Sequence, residues 1–296
     1  MASVTVSGIE FAYTEVGSGP DVVLLHGFGA TRRFWMPPII GYLADRFHVI
    51  AYDLRGHGSS GMPPRGYTTA TMAEDLAGLL DALSIERTNL VGHSFGGRVA
   101  AHFAALHPTR VARLAIVDSR FGALQPLPVL AQWPESAAWL DAFKKIGLQL
   151  TGEEPMTYDF FIGWLRLALQ HATDEDLPQV FKEFTIWPGS EALVRHWDVL
   201  KANTTAPEDV EAEAGLDSTM IANIRTSTFG IFGARSFNLP TLNALRDLLT
   251  DFIGAVVPDA GHRLPLQRPF YFRQIVRAFL EGQSPLSPEP PATRPQ

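Results

Sequence analysis

The chain has 296 residues, of which 46% are hydrophobic and 19% are charged, and its formal net charge is −7. This composition is ordinary for a folded globular protein, and no basic run offers the phosphate-neutralising surface that nucleic-acid binding requires. Cysteine is absent, which excludes disulfides, thiolate metal sites and a cysteine nucleophile. The N-terminal segment lacks the pattern of a secretory signal and no apolar run could span a bilayer, so we expect a cytoplasmic protein without a membrane partner.

Short apolar runs alternate with helix-length segments along the first 120 residues. The runs lie at residues 22–25, 49–52, 90–91 and 114–117. Continuous apolar strands that are separated by helices predict an α/β fold, with a mostly parallel sheet covered by helices on both faces. Strand character returns at residues 228–232 and 252–257, so these segments are predicted to extend the same sheet.

The helices between these runs are predicted from their spacing. Met72, Leu76 and Leu79 fall on one helical stripe, and Thr71 and Glu74 have the spacing of a capping box. An alanine-rich helix is predicted over residues 96–106, a further helix over 241–249 and a last helix over 267–280.

Residues 120–225 interrupt this alternation and are rich in aromatic side chains. The spacing is helical over 157–171 and 190–201, which predicts a helical lid inserted after the strand that ends near Asp118. Residues 1–119 and 226–282 are then the core domain, and residues 283–296 a disordered, proline-rich tail. Any single aromatic residue is more often part of a hydrophobic core, but we expect Trp139 and Trp164 to contact substrate. The aromatic residues in question are Trp133, Trp139, Phe143, Tyr158, Phe160, Phe161, Trp164, Phe181, Phe184, Trp187 and Trp197.

The segment Gly92-His93-Ser94-Phe95-Gly96 matches the pattern G-x-S-x-G. In that pattern a strained strand-to-helix turn lifts a serine above the sheet, and glycines avoid collisions inside the turn. The segment follows a predicted strand and precedes the alanine-rich helix, which is the context the pattern requires. Ser94 is therefore the predicted nucleophile, and the alternative is that it is only a turn residue.

Three further segments accompany this turn in the same chain order. They are Leu25-His26-Gly27-Phe28-Gly29, Asp53-Leu54-Arg55-Gly56-His57-Gly58-Ser59-Ser60 and Ala260-Gly261-His262. Together the four segments resemble the α/β-hydrolase superfamily of lidded serine esterases and their relatives. The resemblance implies that the backbone amides of Phe28 and Phe95 form the oxyanion hole, and that the rings of these two residues form an apolar floor for the substrate.

The Ala260-Gly261-His262 segment follows the last predicted strand, so His262 is the predicted general base. Among the other histidines, His26 and His57 are expected to brace loops. His93 is next to the nucleophile, but on so sharp a turn its side chain is expected to point away from the site.

A catalytic triad also needs an acid that orients the general base, and the position of this acid departs from the usual pattern of the superfamily. Most relatives carry the acid in a Gly-x-x-Asp segment after the penultimate strand, and here that segment ends in Ser236, which cannot supply charge. A minority place the acid after the strand that follows the nucleophile helix, where this chain has Asp118. We expect Asp118 to be the acid and Ser236 to contribute little. Asp118 could instead pair with Arg120 or cap the lid entrance, and Asp259 is a weaker candidate.

These features favour hydrolysis of an ester or thioester of a largely apolar small molecule through an acyl-serine intermediate. No metal-ligand pattern is found in the sequence, and neither a metal nor another cofactor is expected. A serine nucleophile argues against epoxide and haloalkane hydrolysis, while carbon–carbon bond hydrolysis remains open. The displaced acid also resembles that of cofactor-free dioxygenases, in which a His–Asp pair deprotonates the substrate. A non-catalytic ligand receptor on the same fold is a third alternative.

Overall fold

The computed structural model describes residues 2–35, 37–132, 136–171, 189–212 and 215–285. Within them the strands are β1 (Ala2–Val6), β2 (Ile9–Val16), β3 (Asp21–Leu25), β4 (His48–Tyr52), β5 (Thr88–His93), β6 (Val111–Val117), β7 (Thr228–Gly233) and β8 (Phe252–Val257). They form an eight-stranded sheet in the order β1-β2-β4-β3-β5-β6-β7-β8. The pairs β1–β2 and β2–β4 are antiparallel, and all the other neighbouring strands are parallel.

Helices connect the parallel strands and cover both faces of the sheet. Every residue of β5 and β7 is buried, because a parallel strand inside such a sandwich has no solvent-facing side. The helices are α1 (Ile39–Ala44), α2 (Thr69–Ala82), α3 (Phe95–Leu106), α4 (Ser136–Lys145), α5 (Tyr158–Gln170), α6 (Ser190–Asn203), α7 (Ala206–Ala212), α8 (Ser218–Ala222), α9 (Leu239–Leu248), α10 (Leu264–Gln267) and α11 (Pro269–Leu280). The α/β-hydrolase fold expected from the sequence is confirmed.

The hydrophobic core has one cluster on each face of the sheet. The first packs α2, α3 and α9 against one face, and it continues into α5 and α6 through side chains such as Leu165 and Leu193. The second packs α1 and α11 against the other face, around residues such as Trp35 and Phe272. The described part of the segment between β6 and β7 is helical, as predicted. The division into a core domain and a lid at the predicted boundaries stays a prediction.

Several local predictions need correction. The sheet begins with β1 and β2, an antiparallel hairpin around Gly8 that adds two strands to those predicted from the sequence. Helix α2 begins earlier than predicted, because its N-cap is Thr68, whose side chain accepts a hydrogen bond from the Thr71 amide. The predicted last helix, over residues 267–280, is α11 and begins at Pro269, and the short helix α10 precedes it.

Some predictions lie outside the described residues. They concern Trp133, Phe181, Phe184 and Trp187 of the aromatic-rich segment and most of the predicted tail, residues 286–296.

The parallel strands all end at the same edge of the sheet. The loops that follow β3, β5, β6, β7 and β8 therefore converge there. These loops carry the residues that the sequence analysis selected, so the fold brings segments far apart in the sequence to one place.

Candidate active site

Ser94 lies on a sharp turn between β5 and α3. Its backbone has φ 54° and ψ −120°, a conformation that side chains rarely adopt, and its amide donates to the Val117 carbonyl oxygen at 2.9 Å. The side chain is partly exposed, whereas the residues on either side of it are buried. The turn thus presents one hydroxyl at the edge of the sheet and at the N-terminus of a helix, where the dipole favours negative charge.

The glycines of this turn are required by space. A Cβ atom built on Gly96 would lie 2.5 Å from the carbonyl oxygens of Leu25 and His26, and one built on Gly92 would collide with the Gly96 backbone. Real Cβ atoms essentially never approach other atoms so closely. Any side chain at either position would therefore push α3 away from the sheet and displace Ser94.

His262 and Asp118 form a hydrogen-bonded pair. The Nδ1–H of His262 donates to Oδ1 of Asp118 at 3.0 Å, a distance inside the range expected for such a pair. The Asp118 side chain is fully buried, while that of His262 is 34% exposed. An imidazole that donates through Nδ1 keeps a lone pair on Nε2, so its exposed nitrogen can accept a proton.

Four donors hold the Asp118 carboxylate. Oδ2 accepts from the Gly233 amide at 2.9 Å. Oδ1 accepts from Ser236 Oγ at 2.6 Å and from Asn238 Nδ2 at 2.9 Å, in addition to His262. Burial acts to raise the pKa of the Asp118 carboxyl, but the hydrogen bond and charge of His262 and the other donors outweigh it, so the pKa lies below its usual value. Asp118 is therefore a buried carboxylate held in its charged form.

Ser236 has a larger part in this network than the sequence suggested. It occupies the position where most relatives were expected to carry the acid, and its hydroxyl donates directly to Asp118. The Ser236 hydroxyl also accepts from the backbone N–H of Asn238 at 3.0 Å, which fixes the loop after β7. Although Ser236 carries no charge, it stabilises the charge on Asp118. Asn238 was not selected from the sequence, because nothing in its local pattern marks a contact with a residue 120 positions away.

The predicted oxyanion amides belong to two neighbouring loops. A Cβ atom built on Gly27 would lie 3.1 Å from the Cβ of Ser94, so the loop after β3 packs directly beside the serine. The rings of Phe28 and Phe95 meet edge to face with centroids 5.4 Å apart. Within the described part of the chain, the amides of Phe28 and Phe95 donate to no protein atom. Two such donors beside a serine can bind negative charge that develops on a substrate oxygen.

The chain is similar to known proteins in both sequence and structure. The profile of the family described as alpha/beta hydrolase fold matches residues 20–150. A bacterial membrane phospholipase A of known structure superposes on 95% of this chain and 85% of its own, with a TM-score of 0.69 and 27% sequence identity. The chain has the α/β-hydrolase fold, and these matches support its membership of the α/β-hydrolase superfamily.

Two further proteins, an enzyme of known structure and a plant enzyme, are similar to this chain. The enzyme Est816, described as degrading N-acyl homoserine lactones, superposes on 94% of this chain and all of its own, with a TM-score of 0.64 and 26% identity. Epoxide hydrolase 3 of Siraitia grosvenorii is 33% identical over 154 residues, which is 51% of this chain. The matched segments span only 33% to 48% of the length of the curated relatives, so the similarity to them covers a third to a half of each protein. No helix among the described residues is long and apolar enough to cross a membrane.

Two aromatic rings of the helical segment, those of Tyr158 and Trp197, lie beside the loop that follows β3. Trp139 and Trp164 are buried against each other, with centroids 4.7 Å apart, in a separate cluster built around α4 and α5. Tyr158 and Trp197 instead contact the Phe28 ring, at 5.1 Å and 5.9 Å between centroids. A role of Trp139 or Trp164 in substrate binding stays a prediction.

The sequence predicted that the His93 side chain points away from the site, but in the structure it contacts His262. Its Nε2–H donates to the His262 carbonyl oxygen at 2.8 Å, and the two rings lie 4.9 Å apart. His26 and His57 brace loops as predicted. His26 Nε2 accepts from the Leu54 amide at 3.0 Å, and His57 Nε2 accepts from the Gly29 amide at 2.9 Å.

These buried histidines predict a loss of stability in mild acid. Burial lowers the pKa of His26 to about 4, that of His93 to about 3 and that of His57 well below its usual value. In the unfolded chain each of these histidines binds a proton with a pKa near 6.5, whereas in the folded chain it stays neutral at that pH. The stability that is present above pH 6.5 is therefore lost as the pH falls towards the folded pKa values. Each histidine is expected to contribute about 1.4 kcal/mol to the loss between pH 7.5 and pH 5.5.

Urea unfolding at pH 7.5, 6.5 and 5.5 measures this loss. The free energy of unfolding should fall at each step, with most of the loss below pH 6.5. A free energy that stays constant or rises over this range would contradict the neutral, buried state of the three histidines.

Proposed function

We propose that this protein is a serine hydrolase that cleaves an ester or thioester of a largely apolar small molecule through an acyl-serine intermediate. The observation that carries the proposal is the buried Asp118 carboxylate hydrogen-bonded to His262, on loops that converge with the Ser94 turn. The combination supplies a nucleophile, a base and a charge that stabilises the protonated base.

In the proposed reaction Ser94 Oγ attacks the carbonyl carbon while His262 takes the hydroxyl proton. The carbonyl oxygen becomes negative and is held by the amides of Phe28 and Phe95. The bond to the leaving alcohol or thiol then breaks, and the leaving group takes the proton from His262. Water repeats these steps on the acyl-serine, releases the acid and restores Ser94.

The similarities to solved structures support ester chemistry. The phospholipase A is by its name an esterase of phospholipids, and the substrate described for Est816 is a lactone, which is a cyclic ester. The match to epoxide hydrolase 3 covers about half of this chain. A carboxylate nucleophile is expected for epoxide opening, whereas the predicted nucleophile of this chain is Ser94. The dioxygenase-like alternative stays open to a direct test, since it requires oxygen consumption.

Chain-length preference is expected to follow from the apolar surroundings of Ser94. The rings of Phe28 and Phe95 and the helices that pack on them favour a substrate whose acyl part is apolar. Each buried methylene stabilises binding by about 0.8 kcal/mol. We therefore expect kcat/KM for p-nitrophenyl esters to rise about 10- to 100-fold from acetyl to hexanoyl, since the burial is only partial.

The assay is initial-rate hydrolysis of p-nitrophenyl acetate, butyrate, hexanoate and benzoate, with the matching thioesters in parallel. A rapid first turnover of p-nitrophenol before the steady state would mark accumulation of the acyl-serine. An acetyl ester that is turned over fastest would count against the apolar site. Oxygen consumption with an aromatic substrate and no ester turnover would replace the proposal by the dioxygenase-like alternative.

A further inference from the structure

The loop Gly27-Phe28-Gly29 contains two peptide groups, and nearly all of their polar atoms are held. The Gly27 carbonyl oxygen accepts from His26 Nδ1 at 2.8 Å and from the Ala30 amide at 3.1 Å. The Gly29 amide donates to His57 Nε2. These contacts come from the sheet domain, and they leave the Phe28 amide and the Phe28 carbonyl.

The Phe28 carbonyl oxygen is held from the opposite side, by the helical segment. The hydroxyl of Tyr158, the first residue of α5, donates to this oxygen at 3.1 Å. Burial raises the pKa of Tyr158 above its usual value, which favours the protonated hydroxyl that donates this hydrogen bond. The peptide group that joins Phe28 to Gly29 is thus fixed at its oxygen by Tyr158 and at its nitrogen by His57.

Packing around this contact leaves no space for a side chain at Gly29. A Cβ atom built on Gly29, whose φ is +74°, would collide with the Tyr158 hydroxyl and with Leu193 of α6. The Tyr158 ring also packs edge to face on Trp197, with centroids 4.8 Å apart. Helices α5 and α6 therefore contact the loop with both apolar and polar groups.

We propose that Tyr158 is a positioning residue, through which the helical segment between β6 and β7 holds the Phe28 amide in place as an oxyanion donor. This inference rests on the proposed function. A change in the backbone torsions of Phe28 would alter the direction of its N–H relative to its carbonyl group, and the Tyr158 hydrogen bond to that carbonyl opposes such a change. The helical segment then completes the oxyanion hole in addition to covering the substrate.

The test is the variant Tyr158→Phe, which keeps the ring and removes only the hydroxyl. The matched control is Tyr67→Phe, since the hydroxyl of the buried Tyr67 likewise donates to a carbonyl oxygen, that of Pro63, at 2.8 Å. Removing an oxyanion donor outright costs about 10²- to 10³-fold in kcat, and a misplaced donor is expected to cost about 10- to 100-fold. In Tyr158→Phe kcat should fall by this factor with KM changed less than about threefold, whereas Tyr67→Phe should keep the wild-type kcat.

A second readout distinguishes positioning from a general loss of stability. Reaction of Ser94 with a fluorophosphonate also places negative charge in the oxyanion hole, so its rate constant should fall by the same factor as kcat in Tyr158→Phe. Hydrogen exchange of the peptide that spans residues 27–31 should speed up in this variant and not in Tyr67→Phe.

The outcomes separate the two proposals. Wild-type kcat in Tyr158→Phe, or an equal fall in both variants, would overturn the role of Tyr158 and leave the proposed function standing. A wild-type protein that hydrolyses no ester and does not react with the fluorophosphonate would overturn the proposed function, and with it the positioning role of Tyr158 in catalysis. In that case the exchange measurement still shows whether the hydrogen bond orders the loop, so the two failures are told apart.

Discussion

Replacement of Asp118 by asparagine is expected to lower kcat for ester hydrolysis by about 10³- to 10⁴-fold, with little change in KM. When His262 takes the proton of Ser94 it becomes a cation, and the buried Asp118 carboxylate is the charge that it contacts. Asparagine keeps the shape of the side chain but removes this charge. The effect should therefore appear in the transition state and not in substrate binding.

Asparagine also fits the hydrogen bonds of this position poorly. Oδ1 of Asp118 receives donors from His262, Ser236 and Asn238. Oδ2 receives the Gly233 amide. An asparagine side chain has a single oxygen, so either orientation of its amide turns an NH2 group towards a donor. We expect the free energy of unfolding to fall by about 1–3 kcal/mol, the usual cost of an unsatisfied buried polar group.

The matched control is Asp259→Asn, which makes the same change at the weaker candidate for the acid. Asp259 lies on an exposed turn three residues before His262 and pairs with Arg268 at 2.8 Å. Its replacement should leave kcat within about twofold of the wild type, since an exposed ion pair contributes little. A large loss in Asp259→Asn with a small one in Asp118→Asn would show that the wrong acid had been assigned.

Replacement of Ser94 by alanine is expected to have the largest effect, a fall in ester turnover of about 10⁶-fold. The hydroxyl is the atom that forms the covalent bond, and alanine offers no substitute. The fold should be unaffected, because only one partly exposed oxygen is lost. The measurement is kcat with p-nitrophenyl hexanoate, together with the melting temperature of the variant.

Ser84→Ala is the control for the backbone. Ser84 has φ 57°, close to the 54° of Ser94, but it lies on an exposed turn after α2. Both substitutions place alanine at a positive φ, so both should change the melting temperature by small amounts. Only Ser94→Ala should lose turnover. Full turnover in Ser94→Ala would exclude an acyl-serine mechanism.

The sequence predicted the features that depend on local chemistry. The parallel strands follow from continuous apolar runs. The sharp turn at Ser94 follows from Gly92 and Gly96, at which the surrounding backbone leaves no space for a Cβ atom. The Asp118–His262 contact was also expected, because a superfamily pattern linked the ends of β6 and β8. The N-terminal hairpin of β1 and β2 also has a local signal, the alternation of side chains on either side of Gly8.

Contacts between distant segments were beyond the sequence. The direction of the His93 ring depends on where the His262 carbonyl lies, 169 residues away. The Tyr158 hydroxyl meets a carbonyl 130 residues earlier, and nothing in the pattern of α5 separates this residue from Trp164, which faces a different cluster. Aromatic spacing predicts which residues are buried on a helix, but the packing of α5 and α6 determines which of them reach the active site.

The most direct test of the account is covalent labelling by an alkyl fluorophosphonate, read by intact mass and by peptide mapping. The serine oxygen displaces fluoride, so we predict one adduct per chain, on the peptide that contains Ser94. The adduct should be absent in Ser94→Ala, formed much more slowly in Asp118→Asn and unchanged in Ser84→Ala. An adduct on another serine, undiminished labelling of Ser94→Ala, or no adduct on an ester-hydrolysing wild-type protein would contradict Ser94 as the nucleophile.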